Sequence, residues 1–194
     1  MKSKGYVQVY TGNGKGKTTA AIGLAVRALG AGRRVLFQQY MKGLAYSEHN
    51  ILPTLSENLT LHTLGKPFFV AEEGMLTEEQ KKAFEGIVIF PPNNPPEDYC
   101  RMVKEGLDEA YRAAVSGEYD IIVMDEICCA LRFGLAKWED VLRIIDGRAA
   151  HTELILTGRG ASDALNDRAD LVTEMTEIKH YYTQGVEARR GIEN

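Results

Sequence analysis

Cysteine is scarce in this sequence, and so are long apolar runs. Only Cys100, Cys128 and Cys129 occur in 194 residues, and no two stand as CxxC, which argues against a disulfide framework and against a zinc ribbon. The adjacent Cys128 and Cys129 read as small buried hydrophobes. No apolar run approaches the ~20 residues that cross a bilayer, so no membrane partner is expected. A cationic excess is missing too: 27 acidic residues outnumber 23 basic ones, for a net charge of -4, so nucleic acid is not expected as a partner and basic groups must act locally. The opening "MKSKGYVQVY" runs from a short basic tip straight into an alternating strand, without the apolar core and cleavage site of a secretory signal; a cytoplasmic location is expected. Proline is sparse as well, but four of the six crowd into "GIVIFPPNNPPED", which predicts no regular structure there.

What is present is a globular composition, 44% hydrophobic and 26% charged, in a length that suits one domain spanning residues 1–194. "YVQVY" (Tyr6 to Tyr10) alternates like a strand, a glycine loop follows, and "TTAAIGLAVRALGAG" carries apolar residues at helical spacing. "RVLFQQY" and "LTLHTL" predict two more strands. Residues 44–96 are less regular, with a helix predicted over Thr77 to Glu85. "DYCRMVKEGLDEAYRAAVSG" puts Val103, Leu107, Ala110, Tyr111 and Ala114 on one helical stripe closed by glycine. "YDIIVMDE" predicts a strand covered on both faces, "AKWEDVLRIIDG" a helix with Trp138, Val141, Leu142 and Ile145 on one side, and "TELILTGRG" and "DLVTEM" two further strands. Strands alternating with helices predict an α/β fold, a three-layer P-loop NTPase-like (RecA-like) domain around a mainly parallel sheet of about six strands.

"TGNGKGKTT" (Thr11 to Thr19) lies between the first strand and the first helix, where a GxxxxGK[ST] loop holds phosphates. Thr11 stands where the first glycine is expected, while Gly12, Gly14 and Gly16 supply backbone freedom for N–H groups to converge on an anion. Asn13 and Thr19 belong to the same loop, Lys17 neutralises phosphate charge, Lys15 adds a second cation, and the Thr18 hydroxyl suits Mg²⁺. Asp125 and Glu126, ending a buried strand, bring carboxylate oxygen to the same sheet edge. Each is read either as a metal ligand or in a structural role, capping a helix or holding a ligand from behind. Arg159, after the next strand, reads as a phosphate contact or a surface ion pair. Residue types alone leave open a phosphoryl-transfer enzyme such as a nucleoside kinase or NTPase, and a non-catalytic nucleotide carrier.

Together, "TGNGKGKTTAAIGLAVRALGAG", "VMDE", "ILTGRG", "ADLVTEM" and "KHYYTQGVEARRGIE" resemble the P-loop type of ATP:corrinoid adenosyltransferase, over Tyr6 to about Gly43 and Tyr119 to Glu193. The resemblance implies that ATP lies in the loop in the reverse sense and that no phosphoryl group is transferred. Co(I) of a reduced corrinoid attacks the ribose 5′ carbon, giving adenosylcorrinoid and inorganic triphosphate. It further implies ATP contacts at Asn13, Gly14, Gly16, Lys17, Thr18, Thr19, Arg27 and Arg159, to which the reading of the loop adds Gly12 and Lys15, with Lys17, Thr18 and Glu126 expected to be catalytic. Mg²⁺ (or Mn²⁺) would be held by Thr18 and Glu126, with Asp125 directly or from behind. A flavoprotein reductant and a homodimer are also implied. "MKG" and Glu48 match the family after the second strand, with Ser47 where glycine is usual. "LGKPFFV" matches its aromatic segment with Phe68 in the second aromatic place, a corrinoid contact, and Lys66 in the first. His180 matches a family histidine. Residues 44–96 are expected to face the corrinoid.

Overall fold

A computed structural model describes residues 3–44, 46–74, 87–91 and 94–194. The helix expected over Thr77 to Glu85 falls outside the described residues. Six strands form one parallel sheet: β1 (Val7–Thr11), β2 (Val35–Tyr40), β3 (Leu59–Leu64), β6 (Ile121–Asp125), β7 (Glu153–Thr157) and β8 (Leu171–Glu174), in the order β3-β2-β6-β7-β1-β8. The parallel α/β fold and the strand count expected from the alternating pattern are therefore present. Two short strands, β4 (Val70–Glu72) and β5 (Val88–Phe90), pair separately in parallel. This corrects one expectation: "VIF" is regular because its β-branched and aromatic residues precede Pro91, and the prolines act only afterwards. Pro96 in fact caps the helix that follows.

Strand alternation sorts the core into two layers. Leu36, Ile122, Met124, Leu154 and Leu156 face one side, with Val7 and Val9. There they meet α3 (Glu97–Ser116), α4 (Ile127–Arg132), α5 (Trp138–Gly147) and α6 (Asp163–Arg168). Val35, Phe37, Ile121, Val123 and Ile155 face the other, beneath α1 (Lys17–Gly30) and α2 (Glu48–Leu55). Helix α1 fully buries only the small residues Ala21, Ala25 and Ala28 in this face, with Ile22, Leu24 and Leu29 packed partly buried beside them, so its axis comes close to the sheet.

Helix α3 buries Val103, Leu107, Ala110 and Ala114 as the stripe predicts, with Tyr111 half-buried, and ends at Gly117 with φ 65°. In α5 the buried positions are Val141, Ile144 and Ile145; the stripe turns by a residue, leaving Leu142 and Trp138 half-buried. Cys128 is buried, but Cys129 is only partly so. No described helix is long and apolar enough to cross a membrane.

Candidate active site

The loop after β1 is shaped by the segment after β8. The Met175 amide donates to the Thr11 carbonyl at 2.8 Å, and the Gly14 amide donates back to the Met175 carbonyl at 2.7 Å. A Cβ at Gly12 would lie 2.4 Å from the Met175 carbonyl oxygen and one at Gly14 would lie 2.7 Å from it, so both positions need glycine. Thr11 is tolerated where a first glycine was expected because it is still a regular strand residue. The left-handed turn falls on Gly12, with φ 95°, and Thr11 Oγ1 accepts from the Ala161 amide at 3.2 Å.

Lys17 is buried and turned back onto its own loop, donating to the carbonyls of Gly12 and Gly14 at 2.7 Å each. Burial, and then the Arg159 guanidinium, push its ammonium below the usual lysine range. Both cations line one cavity, where an anion would relieve their repulsion.

Asp125 is completely buried and organises the floor. Oδ1 accepts from Thr18 Oγ1 at 3.0 Å and Thr157 Oγ1 at 2.6 Å. Oδ2 accepts from Gln39 Nε2 at 3.1 Å and lies 3.1 Å from Lys42 Nζ. Glu126 comes next with φ 63°, a left-handed conformation held by its amide donating to Thr157 Oγ1 at 3.0 Å. Burial, and then the Asp125 charge, push its carboxyl above the usual range. The Cys129 thiol is hydrogen-bonded to Glu126, and burial pushes that thiol upward.

These groups open into a cavity of 510 Å³. Asn13, Gly14, Lys15, Gly16, Lys17, Thr18 and Thr19 line it together with Glu126 and Arg159. Lys42, Tyr46, Ser47 and Glu48 also line it, as do His180 and Gly191 to Asn194.

The profile of a family described as ATP:corrinoid adenosyltransferase BtuR/CobO/CobP matches residues 3–194. The chain belongs to this family of adenosyltransferases. A "Corrinoid adenosyltransferase CobA" of Salmonella typhimurium is 32% identical over 193 residues, covering 100% of this chain and 87% of its own. A corrinoid adenosyltransferase of Pseudomonas aeruginosa is 30% identical over 191 residues, covering 98% and 84%. One of Escherichia coli K12 is 31% identical over 190 residues, covering 98% and 86%.

In this adenosyltransferase, not every residue singled out in the sequence reaches the cavity. Asp125 lies behind Thr18 and Glu126, and Gly12 contributes its carbonyl to Lys17. Arg27 is exposed in the last turn of α1, away from the cavity lining. Phe68 packs edge-on to Tyr99 at 6.1 Å and against the core, while Phe69 stays 42% exposed. Lys66 pairs with Asp98 at 2.6 Å on the surface.

Sequence reasoning gave Lys42 no role at the site. It is buried, 3.3 Å from Thr18 Oγ1 and 3.3 Å from Glu48 Oε1, with its ammonium over the Tyr46 ring at 4.9 Å. Its position depends on Gly43 and Gly65, whose backbones cross: a Cβ at Gly43 would lie 2.1 Å from the Lys66 carbonyl oxygen. A lysine and a glycine directly after a central strand were the available signal.

The C-terminal segment also reaches the cavity. A 3₁₀ turn, Tyr181–Gln184, and the turns beyond it carry Glu193 to Lys15 Nζ at 2.9 Å, and the Ser47 hydroxyl donates to the Asn194 carbonyl at 2.8 Å.

Proposed function

We propose that the chain transfers the 5′-deoxyadenosyl group of ATP to the cobalt of a reduced corrinoid, with the residues above holding the triphosphate as leaving group. Co(I) supplies the electron pair that forms the Co–C bond, the C5′–O5′ bond breaks, and the triphosphate leaves with the pair of that broken bond. One observation carries this reading: Lys15, Lys17, Lys42 and Arg159 converge on a single cavity, more positive charge than one phosphate needs and suited to a polyanion that departs whole. Loop amides and the N-terminus of α1 bind and orient the phosphates. Lys17 exchanges its two carbonyl partners for phosphate oxygens, and Arg159 adds its charge from the same lining.

The donor set fits a resident Mg²⁺ or Mn²⁺. Among the described residues no group of three or more His, Cys, Asp or Glu could hold a metal alone, whereas a hydroxyl and one or two carboxylates completed by phosphate suit these hard ions. Thr18 and Glu126 would hold the ion, with Asp125 fixing Thr18 from behind. When bound, it would neutralise charge on the departing triphosphate. We further propose a cytoplasmic homodimer served by an external flavoprotein reductant, with residues 44–96 facing the corrinoid. Within that segment, Phe68 is proposed to support the corrinoid side from its place on Tyr99, and Arg27 to meet the nucleoside end of ATP.

The test is product analysis with MgATP and chemically reduced corrinoid. Inorganic triphosphate should appear in step with the alkylated cobalt. ADP and phosphate without alkylation would instead mean that the loop performs ordinary phosphoryl transfer.

A further inference from the structure

Lys42 is out of place for an ordinary surface lysine. Its side chain is 10% exposed, it follows a central strand, and its ammonium lies within 3.3 Å of three oxygens from three different elements. Those oxygens are Thr18 Oγ1 at 3.3 Å, Asp125 Oδ2 at 3.1 Å and Glu48 Oε1 at 3.3 Å. One hydroxyl and two carboxylates around a single positive centre form the donor set that a hard divalent cation takes from a protein. One of them, Thr18 Oγ1, is the oxygen assigned above to the metal.

We propose that the Lys42 ammonium is a built-in stand-in for the metal ion, occupying the metal's surroundings while no nucleotide is bound and moving to a phosphate oxygen when metal and triphosphate enter. This rests on the metal reading of Thr18, Asp125 and Glu126.

The surrounding structure supports an exchange of place. An ammonium and a divalent ion within about 3–4 Å of the same oxygens repel strongly even at the effective dielectric of a protein surface, so both cannot use the set at once. The backbone of Lys42 cannot withdraw, because Met41 before it is held at φ 60° and Gly43 after it is locked against Gly65. Only the four-carbon side chain is left to move. It borders the cavity, so the path to a phosphate is short, and the Tyr46 ring at 4.9 Å offers a face along which the ammonium can slide. Burial by itself disfavours the charge on Lys42, but Asp125, Glu48 and Glu126 outweigh it and hold the ammonium above the usual lysine range. The nucleotide-free protein therefore holds a cation at this place.

Metal and nucleotide binding are coupled as a result. Metal alone must expel an ammonium with nowhere to go. With triphosphate present, the displaced ammonium gains a new partner, so each ligand favours the other by the same factor.

Mn²⁺ is the probe, its free concentration read by electron paramagnetic resonance in titrations of the full chain, with and without ATP. Without nucleotide, Lys42→Gln should bind Mn²⁺ at least about tenfold more tightly than the wild type, because a positive charge beside the site is gone. Lys42→Arg, which keeps the charge, should stay near the wild type. ATP should then tighten Mn²⁺ less in Lys42→Gln than in the wild type, by about the factor already gained. Lys42→Met serves in place of Lys42→Gln if circular dichroism shows the latter to be misfolded. Equal nucleotide-free Mn²⁺ affinity in the neutral variant and the wild type, with Mn²⁺ binding to both once ATP is present, would overturn the stand-in and leave the metal site intact. No Mn²⁺ binding to either protein even with ATP would remove the metal site and the stand-in together.

Discussion

Two non-glycine residues among those described adopt positive φ, Met41 at 60° and Glu126 at 63°, and both border the cavity's charged groups. Such conformations cost roughly 1–3 kcal/mol each unless the surroundings impose them. At Glu126 the imposing group is Thr157, whose hydroxyl accepts from the Glu126 amide at 3.0 Å and donates to Asp125 at 2.6 Å. Thr157→Val keeps the shape and removes both bonds, leaving a buried carboxylate and a strained amide short of a partner. The expected loss is about 1–3 kcal/mol of stability, read by urea unfolding, together with weaker metal binding. Unchanged stability would mean that Thr157 does not hold Glu126 in its conformation.

At the scale of the element, the segment from His180 to Asn194 is tied down by charge more than by burial. Glu193 bonds to Arg189, to Tyr181 and to Lys15, and these partners hold its carboxyl well below the ordinary glutamate range. A depressed carboxyl stabilises docking above its unfolded value of 4.5 and loses that contribution as pH falls through the lower, folded value. Amide hydrogen exchange over residues 181–194 should therefore show the segment closed at neutral pH and opening well below pH ~4. Glu193→Gln should show the open pattern already at pH ~7. A closed segment in that variant at neutral pH would show that Tyr181 and Ser47 suffice to hold it.

For the whole molecule, the net charge of -4 hides a local arrangement in which cations and carboxylates already balance one another. Of the four cations that line the cavity, Lys15 meets Glu193 and Lys42 meets Asp125 and Glu48, while Lys17 and Arg159 have no carboxylate in the ion pairs described. Binding of triphosphate and metal should therefore stabilise the entire fold. At about 100 times its dissociation constant a ligand adds roughly 2.7 kcal/mol, or about 5–10 °C in melting temperature for a chain of this size. Because the triphosphate is the part held most tightly in this reading, inorganic tripolyphosphate with Mg²⁺ should produce much of the same shift. Lys17→Ala should abolish most of it. A melting temperature that responds to adenosine but not to tripolyphosphate would locate the binding energy in the nucleoside.

The order of strands and helices was legible in the sequence because local rules govern it. Apolar strands covered on both faces, the stripe of α3 and the glycine at its end need no distant partner to be recognised. The position of the glycine loop was legible for the same reason: a lysine, two threonines and glycines stand directly between a strand and a helix. Helix α2 and strand β5 were not, since Pro53 and the later prolines weaken the local signal and packing overrides it. What only tertiary structure decided is which charges meet. Lys42, Asp125 and Thr18 are separated by 83 and 24 residues in the chain and gather because β1, β2 and β6 run parallel and deliver their ends to one edge of the sheet. Glu193 reaches Lys15 from the far end of the sequence only because the segment after β8 bonds to the loop after β1. Periodicity and propensity act over a few residues, whereas electrostatic pairing acts through space. Local sequence can therefore reveal the strands and the loop, but only the assembled sheet shows where the charges converge.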